Sequence, residues 1–125
     1  MSYITAYLAS AFVFFGLDLI WLGLVARRFY AGQLGSLMRE QPKLGVSALF
    51  YVGYVAAIIY FAVQGVTSLG QAAMSGLFLG LTAYGTYNVT NMATLKGWPA
   101  RMSLVDMVWG SSLTSLAAMA GFLAF

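Results

Sequence analysis

A chain of 125 residues that is 62% hydrophobic and only 7% charged, with a mean hydropathy of +0.86, carries too little polar surface for water to be its main solvent. Its net charge of +3 implies no nucleic-acid partner, because the six basic residues cluster in connections between apolar runs, where membrane topology accounts for them. The absence of cysteine and histidine removes disulfides, thiolate nucleophiles, the usual zinc sites and the side chain best suited to proton transfer near neutrality, so no metal site is expected and any chemistry falls to Asp, Tyr, Asn or Ser.

The first apolar run covers about residues 3–26. No basic residue precedes it and Arg27 and Arg28 follow directly, which is the wrong polarity for a cleaved signal peptide. Further runs cover about 44–63, 72–95 and 102–125. Each has the roughly 20 residues that a hydrocarbon core of about 30 Å asks of a helix. None shows the period-two alternation of a barrel strand. The chain reads as one all-α transmembrane domain over 1–125, an integral membrane four-helix bundle with no linker and no low-complexity tract.

The connections between runs set the orientation. Arg27, Arg28, Arg39 and Lys43 lie in the first and Lys96 and Arg101 in the third, while the second, residues 65–71, has no basic residue. The positive-inside rule then places both termini on the periplasmic side of a cytoplasmic (inner) membrane. Within the first connection Phe29, Leu34, Leu37 and Met38 recur at roughly helical spacing, as in a short segment lying in the interface, and Tyr30 and Trp98 suit interface anchors. Gly97 stands where a C′ glycine would end the third helix, and Pro99 blocks its continuation.

Intramembrane carboxylates are expensive, roughly 2.5–3.5 kcal/mol each on insertion scales, and therefore mark candidate sites. Asp18 lies about 13 Å along the helix from Arg27, and Asp106 about 7–8 Å from Arg101, so both sit in the cytoplasmic half. On the third run Tyr84, Tyr87, Asn88 and Asn91 share one face, which Gly76 and Gly80 extend outward. The expected cluster is Asp18, Asn88, Asn91 and Asp106, roofed by Tyr84 and Tyr87, with Ser47, Tyr51, Tyr54 and Ile58 able to close a fourth wall. Polar side chains also glue helices together with no ligand involved, and that explanation stands beside the functional one. Asp18-x-x-Trp21 and Asp106-x-x-Trp109 place an indole one turn from each acid. Since the two helices run in opposite directions, the repeat is compatible with inverted symmetry. Gly76-x-x-x-Gly80 is a small-residue stripe suited to internal packing, with a homodimer contact as the alternative. Asn88-Val-Thr90 matches a glycosylation pattern by letters only.

Three stretches, Leu17-Asp18-Leu-Ile-Trp21-Leu-Gly23, Tyr84-Gly-Thr-Tyr87-Asn88-Val-Thr-Asn91 running into Thr94-Leu-Lys96-Gly97-Trp98-Pro99, and Val105-Asp106-Met-Val-Trp109-Gly110, together resemble a bacterial family of small predicted membrane proteins catalogued as a domain of unknown function. The resemblance runs almost end to end. It implies a four-span fold in the cytoplasmic membrane and brings no activity or cofactor with it. Similar proteins tend to carry Asp where this chain has Asn88, which points to a hydrogen-bonding role at that position here.

Three functional classes fit these residues. The first is binding or transport of a small amphipathic or cationic molecule, or a lipid, with Asp18, Asp106, Asn88, Asn91, Tyr84, Tyr87, Trp21 and Trp109 as ligand-binding residues. The second is a membrane-embedded lipid-modifying enzyme using an aspartate as general acid or base. The third is a structural or accessory membrane subunit whose polar cluster only fixes packing. Membrane lipids are expected neighbours in every case.

Overall fold

The computed structural model describes residues 2–125, which form helices and no strand. Helix α1 (Tyr3–Ile20) begins at a capping box: Ser2 Oγ accepts from the Thr5 amide at 3.2 Å, and Thr5 Oγ1 accepts from the Ser2 amide at 3.3 Å. It continues through a wide π turn, Trp21–Val25, closed by a bond from the Ala26 amide to the Trp21 carbonyl at 2.7 Å. Helix α2 (Arg27–Leu34) and a 3₁₀ turn (Gly35–Leu37) fill the first connection. Helix α3 (Leu44–Ile58) also ends in a π turn, Ile59–Val63. The last two helices are α4 (Leu69–Thr94) and α5 (Ala100–Ala124).

Helix α4 starts three residues before the expected boundary because Ser68 is its N-cap, accepting from the Gln71 amide at 3.1 Å. At its other end the cap is Leu95. Gly97 therefore lies beyond C′, in a turn where it takes φ 78°, a left-handed conformation that glycine adopts without steric cost.

Three helical stretches, Tyr3–Val25, Leu44–Val63 and Ala100–Ala124, are long and apolar enough to cross a membrane. Helix α4 has 26 residues, or about 39 Å at the α-helical rise, but is less apolar. Part of its polarity is self-satisfied. The exposed Thr86, Thr90 and Thr94 hydroxyls each donate to the carbonyl four residues earlier, those of Thr82, Thr86 and Thr90.

Neighbouring helices alternate in direction. Thr5 and Ser10 of α1 donate to the Ala124 and Ala117 carbonyls of α5, and Ser115 of α5 donates to Ala73 of α4, each at 2.8 Å. The connections holding all six basic residues consequently meet at one end of the bundle, with the termini and residues 64–68 at the other. The closest packing is α4 on α5. A Cβ at Gly80 would lie 2.7 Å from the Gly110 carbonyl oxygen and 2.8 Å from Ser111 Cα, and one at Gly76 would lie 2.8 Å from Ser115 Cα. The small-residue stripe is thus consumed inside the chain by α5.

The apolar core is built around Phe14, Val55, Ile58 and Leu113, all fully buried. Helix α3 joins it only along its second half. Tyr54, Val55, Ile58, Ile59, Ala62 and Val63 are buried, whereas Leu44, Val46, Leu49 and Phe50 are at least 66% exposed. The first half of α3 stands away from its neighbours, and a cavity opens there.

Candidate functional site

Asp18 and Asp106, which are 88 positions apart in the chain, line one cavity of about 450 Å³ at the basic end of the bundle. Its inner wall is aromatic and acidic: Asp18 from α1, Tyr30 from α2, Tyr51 and Tyr54 from α3, Tyr84 and Tyr87 from α4, and Asp106 from α5. Apolar side chains, among them Leu22, Leu34, Met38 and Phe50, complete its lining. The volume falls within the range of small-molecule sites, roughly 300–1,000 Å³.

Each carboxylate is held by neutral donors. Asp106 accepts from the Tyr30 hydroxyl at 2.9 Å on one oxygen and from Asn88 Nδ2 at 2.8 Å on the other. Asp18 accepts from Trp109 Nε1 at 3.1 Å on one oxygen, while its second oxygen has no bond to the protein and the side chain lines the cavity. The Tyr30 hydroxyl in turn accepts from Trp21 Nε1 at 3.2 Å. The two indoles stack, with ring centroids 4.5 Å apart and planes 10° from parallel. The Asp-x-x-Trp repeat is therefore a crossed lock between antiparallel helices. Trp109 of α5 reaches Asp18 of α1 directly, and Trp21, at the start of the π turn after α1, reaches Asp106 of α5 through Tyr30.

Asn88 is fully buried and donates to Asp106 and, at 2.9 Å, to the Tyr84 carbonyl, while its own Oδ1 has no partner. It acts here as a hydrogen-bonding group. Asn91 is not drawn in: it is half-buried, lines no part of the cavity, and its backbone carbonyl closes α4 by accepting from the Leu95 amide at 2.9 Å. Tyr87 packs edge-on against Trp98 at 5.6 Å. Tyr54 shares a 2.8 Å hydrogen bond with Thr114, and Ser47 lies apart, at a shallow pocket beside Arg39 and Lys43.

Tyr30 is the member that sequence reasoning misplaced. Far from anchoring in an interface, it is buried with Ala26 and Met102 under the bundle, next to Trp21, Phe29 and Trp98. Burial raises its phenol well above the ordinary tyrosine range, and the Asp106 charge adds to the effect, so Tyr30 stays a protonated donor. Nothing in the letters of the first connection marks this. The wide π turn after Trp21 redirects the chain, and with it Tyr30, back under Asp106.

Cation sites built from several acids have no counterpart here, since no group of three or more metal-binding side chains occurs among the described residues. What the arrangement offers is two carboxyl groups on a cavity lined by aromatic and apolar side chains. Residues 3–123 match, over nearly the whole chain, a family described as predicted membrane proteins. No curated protein and no solved structure matches the chain.

Proposed function

The chain belongs to the DUF2177 family of predicted membrane proteins, and from that premise we propose that it crosses the bacterial cytoplasmic membrane four times and binds or carries a small amphipathic molecule in the acidic cavity. Support for α4 as the fourth span comes from its length of 26 residues, its seating along α5, and the threonine hydroxyls that bond its own backbone. The exposed positions of Arg27, Arg28, Arg39, Lys43, Lys96 and Arg101 at one end support a cytoplasmic face there, with both termini periplasmic.

The chain's lack of cysteine makes the orientation directly testable. A membrane-impermeant maleimide is expected to label Gln64→Cys in intact cells, and Arg28→Cys or Lys96→Cys only after permeabilisation. The reverse pattern would invert the topology.

The observation that carries the binding reading is the joint placement of Asp18 and Asp106 on a cavity that apolar side chains also line. A molecule with a polar head and a short hydrocarbon body would bury the second along Leu22, Leu34 and Phe50 while the first reaches the acids. Isothermal titration of hexylamine, hexyltrimethylammonium and hexanol into the protein in phosphatidylcholine nanodiscs tests it. Saturable uptake of at least one probe is expected, and its loss in Ala83→Phe, where a ring on a cavity-lining position fills the space. If no probe binds saturably, or if the filled variant binds as well as the parent, the reading fails.

One observation favours a second reading, that of an accessory subunit with a packing cluster. Both oxygens of Asp106 are already taken up by the protein's own donors. Asp18, with one oxygen unbonded to the protein, does not fit that pattern.

A further inference from the structure

The polar groups around the cavity are unevenly matched. Every side chain that hydrogen-bonds either acid is neutral, namely Tyr30, Asn88 and Trp109, so neither acid has a cationic counterpart among those contacts. Unbonded polar groups line it as well. One Asp18 oxygen has no bond to the protein, nor have the Tyr51 and Tyr84 hydroxyls, all three on side chains that line the cavity. Such acceptors are costly in an apolar medium unless something supplies hydrogens and positive charge.

Resting on the binding reading above, we propose that the ligand is a protonated amine on an apolar body, its ammonium hydrogens donated to the open oxygen of Asp18 and to the wall phenols. Asp18 is the primary counter-charge because it alone of the two acids retains a free oxygen. Asp106, each of whose oxygens already accepts a bond from Tyr30 or Asn88, contributes mainly through its field. Three donors on one compact charge meet this set of acceptors. A quaternary ammonium brings the charge without hydrogens, and an alcohol brings one hydrogen without charge. A bare metal ion is a poor match, since only two carboxyl groups line the cavity and both oxygens of one already accept hydrogen bonds.

The same three hexyl probes, with matched tails, separate the contributions of charge and hydrogen bonding. In nanodiscs of zwitterionic lipid at pH 7, hexylamine is protonated, as an alkylamine with a pKa near that of lysine, about 10.4, must be. It is expected to bind about tenfold or more tighter than both hexyltrimethylammonium and hexanol, the factor that one lost charge-assisted hydrogen bond produces. In Asp18→Asn, which keeps an oxygen for Trp109, that preference is expected to collapse to the level of hexanol, with Asp106→Asn losing less.

Thermal unfolding of each variant in the same discs establishes that it is folded. Equal binding of all three probes, abolished by Ala83→Phe, would overturn the amine assignment and leave the amphipath cavity standing. Tighter binding of the quaternary probe would overturn the hydrogen-bonding part and with it the proposal. Absence of saturable binding for every probe would remove the cavity reading itself.

Discussion

Substituting leucine for Gly80 is expected to cause a large loss of stability through the α4–α5 seam. Even alanine there would place a Cβ 2.7 Å from the Gly110 carbonyl oxygen and 2.8 Å from both Ser111 Cα and Thr114 Cβ. Two of those three atoms are backbone and cannot rotate away. Overpacking of this kind costs about 1–3 kcal/mol for small additions. A leucine adds three further carbons to the same gap, so α5 has to retreat along much of its length. Because the Asn88–Asp106 bond and the Ser115–Ala73 bond both span that seam, they are lost together.

The control is Gly85→Ala on the same helix, whose Cβ meets only the flexible end of Met107 at 3.4 Å. Thermal unfolding in detergent should show Gly80→Ala well below the parent, Gly80→Leu lower still or unfolded, and Gly85→Ala unchanged or slightly raised, since alanine favours helix over glycine by about 1 kcal/mol. If Gly80→Leu matches the parent, the close approach of α4 and α5 is wrong.

Much of this architecture was legible in the letters, and the reason is physical. Length and apolarity mark membrane helices because the bilayer imposes both. The boundaries of the first two spans, at Tyr3 and Val25 and at Leu44 and Val63, fall within a residue of expectation. The pairing of Asp18, Asp106 and Asn88 was legible too, because rise per residue converts sequence distance from a basic flank into depth.

Lateral placement was not legible to the same degree. Tyr87, Asn88 and Asn91 share a face at helical spacing, yet Asn88 is fully buried against Asp106 and Asn91 only closes the helix end. Depth says which residues sit at one level. It does not say which way each helix is rotated, and that rotation is decided by contacts such as Gly80 on Gly110. Tyr30 was hidden for another reason: its position depends on the π turn at Trp21–Val25, a break in helical register that apolar sequence does not announce. The outward lean of α3, which opens the cavity, likewise left no mark in a run as uniformly apolar as 44–63.

The acids themselves allow charge to be separated from hydrogen bonding, and Asp106 is where the separation is sharpest. In Asp106→Leu, two buried donors, the Tyr30 hydroxyl and Asn88 Nδ2, lose their acceptor at once. Each such orphan costs about 1–3 kcal/mol. Tyr30 is also what ties α2 to the bundle, so the α2 segment is expected to loosen and become open to proteolysis near Arg27 and Arg28. In Asp106→Asn the outcome is different. The remaining oxygen can keep accepting from Asn88, which then holds both of its bonds, and the new amide can donate to the second lone pair of the Tyr30 hydroxyl. Only the Tyr30 O–H gives up its acceptor. A buried charge disappears in the same step, and an amide is less costly than an isolated carboxylate at that depth. Asp106→Asn should therefore unfold within a few degrees of the parent or above it, while Asp106→Leu unfolds markedly earlier and is cut by trypsin in its first connection. Equal losses in the two variants would mean that the charge itself holds the fold. No loss in either would mean that the Tyr30 and Asn88 bonds to Asp106 contribute nothing to docking α2 and α4.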